Sequence, residues 1–174
     1  WKVLQPHQSQ DVGEVNGETI SAQDFQALVE EYTEVVKFSS GLNALSDEQT
    51  NQIKDEVWRA YVNNKLIENE AEKLGLTVSK AELQAIIDAG VHPMLQQTPF
   101  RNPQTGAFDK DMLKKFLVDY SKMNKAQMPA QYAEYYNSMY NFWSFVEKSL
   151  IQARLQEKYQ ALITKSLFSN PVEA

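Results

Sequence analysis

Side chains able to do acid–base or metal chemistry are few in this sequence and poorly spaced for it. The two histidines are His7 and His92. The first lies in a polar leading stretch, the second directly precedes Pro93, and neither has an acidic or hydroxyl partner at a regular spacing. A general base needs such a partner to set its tautomer and basicity. Glutamates cluster as Glu30, Glu31 and Glu34 and again as Glu68, Glu70 and Glu72. Both groups fall between apolar positions and read as solvated helix faces. There is no cysteine and no histidine pair at ligand spacing, so neither a metal nor another cofactor is expected. The glycines, among them Gly13, Gly90 and Gly106, are isolated turn or cap residues rather than a phosphate cradle. The residue pattern points away from an enzyme.

The chemistry it does favour is apolar contact. Tyr132, Tyr135, Tyr136, Met139, Tyr140, Phe142, Trp143 and Phe145 crowd into one stretch. At about 100° per residue, Tyr132, Tyr135, Tyr136, Met139 and Trp143 share a helix face with Val146 and Leu150. Tyr140 and Phe142 flank that face, and Phe145 lies further round. The apolar arc covers roughly 220°, against the 100° or so that one-sided burial needs. Aromatic stripes at this spacing are commonly core, and burial of most of these rings is the plain expectation. The surplus arc needs a second partner: an unfolded client, a second copy of the chain, or another part of a longer protein. Tyrosine and methionine suit adaptable contacts, the first with few torsions to freeze, the second by deformable packing.

The elements that must position this stretch are almost all helical. Val12 to Ile20 reads as a hairpin about Asn16-Gly17, a pair that tolerates the positive φ values of a type I′ turn. Ser21 with Asp24 caps a first helix to Ser40, stopped by Gly41, with Phe25, Leu28, Val29, Tyr32, Val35 and Val36 on one face. Ser46 and Gln49 form a capping box for a second helix. There Ile53, Val57, Ala60, Ile67, Ala71 and Leu74 make one stripe while Trp58, Val62 and Leu66 lie nearly opposite, so the helix should pack on two sides, up to Gly75. Ser79 and Glu82 cap a short third helix to about Ala89, and His92-Pro93 ends that region. Met94 to Ala107, with Pro99, Pro103 and Gly106, reads as a loop. Asp109 caps a fourth helix whose Met112, Phe116 and Tyr120 share a face. Pro129 opens a final helix reaching Phe168.

Four stretches in this order resemble the N-terminal chaperone domain of the SurA/PpiD-type peptidyl-prolyl isomerases. They are Val15-Asn16-Gly17-Glu18-Thr19-Ile20-Ser21 followed by Phe25; the helix from Ile53 ending Leu66-Ile67-Glu68-Asn69-Glu70-Ala71-Glu72-Lys73-Leu74-Gly75-Leu76; Val78-Ser79-Lys80-Ala81-Glu82-Leu83 with Ile86; and Gly106-Ala107-Phe108-Asp109-Lys110-Asp111-Met112-Leu113. They span roughly residues 12 to 120. The chain is thus expected to form a mainly α, SurA-N-like multi-helix domain with a short N-terminal β-hairpin, as the resemblance implies, and a long C-terminal aromatic helix that from Gln127 onward is longer and more aromatic than the family pattern. The domain covers 12–168, after a polar tail or linker at 1–11 and before an exit linker at 169–174. The resemblance further implies an ATP-independent holding module for unfolded envelope or outer-membrane proteins, on the periplasmic side of a bacterial cell envelope. A parvulin-type isomerase domain has no counterpart in these residues and would lie downstream in the parent chain. In PpiD-type relatives an inner-membrane anchor lies just upstream, which would place one before Trp1. The alternative function, from a different class, is a structural module that dimerises or positions a neighbouring domain without binding clients.

Composition is consistent with these readings. A chain of 174 residues with 43% hydrophobic content can bury a sizeable core. Its 17 basic and 23 acidic residues give a net charge of −6 without any block of like charges, which argues against nucleic acid as a partner. No stretch approaches the roughly 20 apolar residues of a membrane span.

Overall fold

In the computed structural model, residues 11–15, 17–124 and 127–168 are described. Two strands and six helices occur among them: β1 Asp11–Val15, β2 Glu18–Ser21, α1 Ala22–Ser40, α2 Asp47–Lys73, α3 Lys80–Ala89, α4 Pro93–Gln96, α5 Lys110–Lys122 and α6 Ala130–Phe168. The chain forms two compact units, Trp1–Leu66 and Ile67–Ala174. Helix α2 begins in the first and ends in the second. Most of the tail read at 1–11, Asn16 of the turn, and the exit stretch 169–174 lie outside the described residues; Asp11 belongs to β1.

In the first unit the antiparallel hairpin pairs Val15 with Glu18, Glu14 with Thr19 and Gly13 with Ile20, with an irregularity between Asp11 and Gly13. Gly17 sits at φ 84°, the left-handed conformation that the turn requires. A two-stranded hairpin is marginal alone, and this one is held by α2. The Trp58 ring packs so closely on Gly13 that a Cβ there would overlap it. Lys65 pairs with Glu18 at 2.9 Å, and Val15 and Ile20 are buried. Trp58 is itself braced, edge-on by Phe25 at 5.8 Å and stacked on Tyr61 at 6.0 Å.

Helices α1 and α2 then close over Val29, Ile53 and Val57, with Phe25, Tyr32, Val36 and Leu45 packed around them. Tyr32 donates to Glu56 at 3.0 Å; burial first, and that carboxylate second, raise its hydroxyl pKa. The short-range signals are satisfied as read. Ser21 accepts from the Asp24 amide at 3.1 Å. Ser46 and Gln49 exchange backbone–side-chain bonds of 2.9 and 3.2 Å. Gly41 closes α1 in the left-handed region. Leu28, Leu66 and Leu74, expected in apolar stripes, are partly exposed instead.

The second unit packs α3, α4 and α5 with α6 around Leu83, Ile87, Leu95, Phe100, Leu113, Phe116, Trp143, Val146 and Leu150. Two sequence expectations fail here. The stretch from Met94 is not simply a loop. Pro93 occupies the first turn of α4, where its missing N–H costs nothing, and His92 caps that helix by accepting from the Met94 amide at 3.2 Å. Leu95 is fully buried and Phe100 nearly so. Gln96 ties the segment together, donating to the Gly90 carbonyl at 2.6 Å and accepting from the Phe108 amide at 3.3 Å. On α5, Met112 is not buried. It is 41% exposed, at the edge of the face it shares with Phe116, while Leu113 and Phe116 carry the packing, the latter meeting Phe100 at 5.2 Å.

Candidate binding surface

The aromatic stretch of α6 divides into two parts. Pro129 precedes the helix, and its carbonyl accepts from the Tyr132 and Ala133 amides. From Tyr132 to Tyr140 the rings lie against α5 or in solvent. Tyr132 is 60% exposed, Tyr135 53% and Tyr140 37%, while Tyr136 and Met139 are half-buried. From Phe142 the helix enters the core. Phe142 and Trp143 are 6% and 2% exposed, and Phe145 is half-buried.

A ladder of rings fixes the exposed part. Phe116 of α5 lies parallel to Tyr136 at 6.1 Å, and Tyr135 meets Tyr136 edge-on at 6.0 Å. Tyr120 stacks on Tyr140 at 4.3 Å and 7°, and its hydroxyl donates to Asn137 Oδ1 at 2.7 Å. Offset-stacked and edge-on pairs of this kind contribute about 0.5–1.5 kcal/mol beyond area burial. Beneath them Phe100 sits edge-on to Trp143 at 6.0 Å. The result is an open tyrosine surface in which Tyr135, Tyr136 and Tyr140 are pre-set by neighbouring rings.

The distal half of α6 is anchored by charge. Lys158 Nζ reaches Glu82 at 2.9 and 3.2 Å and the Thr77 carbonyl at 2.6 Å, while Arg154 Nε lies 3.6 Å from Glu82. Glu82 also accepts from the Ser79 amide at 3.0 Å, completing the α3 capping box. That backbone bond first, and the Lys158 ammonium second, pull its carboxyl down to about 2. This cluster could not be read from local sequence, because its members are 76 residues apart.

The residues weighed for catalysis have structural partners. Glu34 pairs with Lys37 and Glu70 with Lys73; Glu30 accepts from Gln26 and Glu68 from Gln152. His92 is a cap, and His7 lies outside the described residues. Among the described residues no group of three or more His, Cys, Asp or Glu side chains is placed to hold a metal ion, and no helix is long and apolar enough to cross a membrane. Of the eight aromatic-stretch residues, then, Tyr132, Tyr135 and Tyr140 offer ring surface, Tyr136, Met139 and Phe145 offer part of it, and Phe142 and Trp143 are inside.

A family model described as the SurA-like N-terminal domain matches residues 2–117, more than half of the chain. The match covers the hairpin, α1 to α4 and most of α5, and stops before the aromatic helix. Comparison with curated proteins and with solved structures returned no match.

Proposed function

The chain belongs to the SurA-like N-terminal domain family, and on that premise we propose that it holds unfolded polypeptides without ATP. A chaperone-type module is the general character of the family; the client, the compartment and the surface used are our reading. The clients are unfolded envelope or outer-membrane proteins on the periplasmic side, and a parvulin domain elsewhere in the parent chain would carry any X-Pro isomerisation.

One observation carries the proposal. Tyr132, Tyr135 and Tyr140 expose large rings on a helix whose underlying rings are already ordered. A surface set in advance pays less ordering entropy on contact. Each aromatic or large aliphatic side chain that a client buries is worth about 1.5–3 kcal/mol before ordering costs. Clients that stay disordered bind weakly at each point, so several such anchors are needed.

The test is suppression of aggregation of a denatured outer-membrane β-barrel protein, comparing the chain with Tyr132→Ser/Tyr135→Ser. These positions are exposed, so circular dichroism should show an unchanged fold. Suppression by the parent and its loss in the variant is the expected result. A parent that fails to suppress aggregation, and forms a dimer that survives dilution, would favour a structural role for the same surface.

A further inference from the structure

Beyond that reading, we propose that the cleft between α3, α5 and α6 docks an extended polypeptide segment bearing one large apolar side chain among acidic residues. The cleft lies wholly within the second unit and encloses about 290 Å³, near the small end of ligand-sized pockets, roughly 300–1,000 Å³. Its floor is apolar: Leu83 and Ile87 from α3, Leu113 and Leu117 from α5, and Trp143 from α6. All but Leu117 are buried. They therefore form a firm seat rather than a loose hydrophobic flap.

Its rim carries three lysines and two acids. Lys80 stands at the start of α3, and Lys110 and Lys114 lie one turn apart on α5. Lys110 faces Asp88 at 3.5 Å, but Lys80 and Lys114 are exposed and in no ion pair among the described residues. The acids on the rim are Asp88 and Glu147, so with Lys110 matched to Asp88, Lys80 and Lys114 against Glu147 leave the cleft one positive charge in surplus on a chain whose net charge is −6. An acidic segment is repelled by the molecule as a whole and attracted here, which makes the site selective rather than generally sticky. The apolar floor supplies the anchor that surface ion pairs, worth about 0–1 kcal/mol each, cannot provide alone.

Three short fluorescein-labelled peptides of equal length test this by anisotropy at low salt: Glu-rich with one central Phe, Lys-rich with the same Phe, and Glu-rich with Ala in its place. The Glu-rich Phe peptide should bind about tenfold tighter than either of the others, with the advantage over the Lys-rich one shrinking as salt is raised. Lys80→Glu/Lys114→Glu should invert the charge preference. In the parent, binding should also shift the Trp143 indole and Leu117 methyl resonances, a readout that does not depend on any variant folding. Equal binding of acidic and basic peptides, unshifted Trp143 and Leu117 signals, or an unchanged preference in a folded Lys80→Glu/Lys114→Glu protein would each overturn the proposal. Tyr132→Ser/Tyr135→Ser should keep the peptide preference, which separates failure of this site from failure of the tyrosine surface.

Discussion

Two neighbouring stretches of α6 are both rich in aromatic rings and differ in burial. Residues 132–140 carry Tyr132, Tyr135, Tyr136 and Tyr140, and residues 142–150 carry Phe142, Trp143 and Phe145. The tyrosines lie against one partner helix, α5, or in solvent, whereas Phe142 and Trp143 are enclosed. Helical spacing alone does not separate them, since Tyr136, Met139 and Trp143 fall on one face. The separation comes from what surrounds each turn. Trp143 meets Phe100 edge-on and lines a cleft with residues of α3 and α5, while Tyr136 and Tyr140 meet rings of α5. The tyrosine hydroxyl makes this tolerable, because a ring with a polar edge can remain at the water boundary.

The largest test of this contrast is Trp143→Ala. Emptying the core beneath α6 should cost about 3–5 kcal/mol, read from urea unfolding, and a cost under about 1 kcal/mol would erase the distinction between the two stretches. Tyr120→Phe probes the boundary between them. It removes the hydroxyl bond to Asn137 while keeping the stack on Tyr140, and should cost about 1 kcal/mol.

Glu82 provides a pH-dependent test on the anchored side. Its carboxyl is at about 2 in the folded chain against an ordinary 4.5, so folding favours its charged form. The stabilisation is complete above pH 4.5 and is lost progressively as pH falls towards 2. Glu82→Gln should lower stability at pH 7 and flatten the part of the acid limb that this residue supplies, in thermal unfolding measured across that range. The smallest expected effect is that of Tyr132→Ser/Tyr135→Ser on stability, within about 0.5 kcal/mol; a larger loss would mean that these rings are structural.

Much of the fold was legible because it is written in short-range signals. Ser21, Ser46, Ser79 and Asp109 each cap the helix that follows, through partners two or three residues away, and Gly17 and Gly41 occupy the backbone conformations their positions demand. What failed depends on contacts that no helical or strand period predicts. Leu95 and Phe100 sit in a Pro-containing stretch with no usable period, yet the Arg101–Phe108 bridge and the Gln96 bonds fold it into the core. Met112 and Leu113 are adjacent on α5, yet Met112 is 41% exposed and Leu113 is buried. The aromatic surplus on α6 was visible, but its division at residue 141 was not, because it depends on packing against Phe100, α3 and α5.

Lys158 has a consequence for how this region opens in time. An ammonium has three N–H donors, and three acceptors lie within reach: two oxygens of Glu82 and the carbonyl of Thr77. Glu82 in turn receives the Ser79 amide. Deuterium uptake at Ser79 should therefore be slow while α6 is seated and should accelerate together with uptake in the distal half of α6 around Lys158. The start of one helix and the distal half of another, far apart in sequence, would then exchange as one cooperative unit.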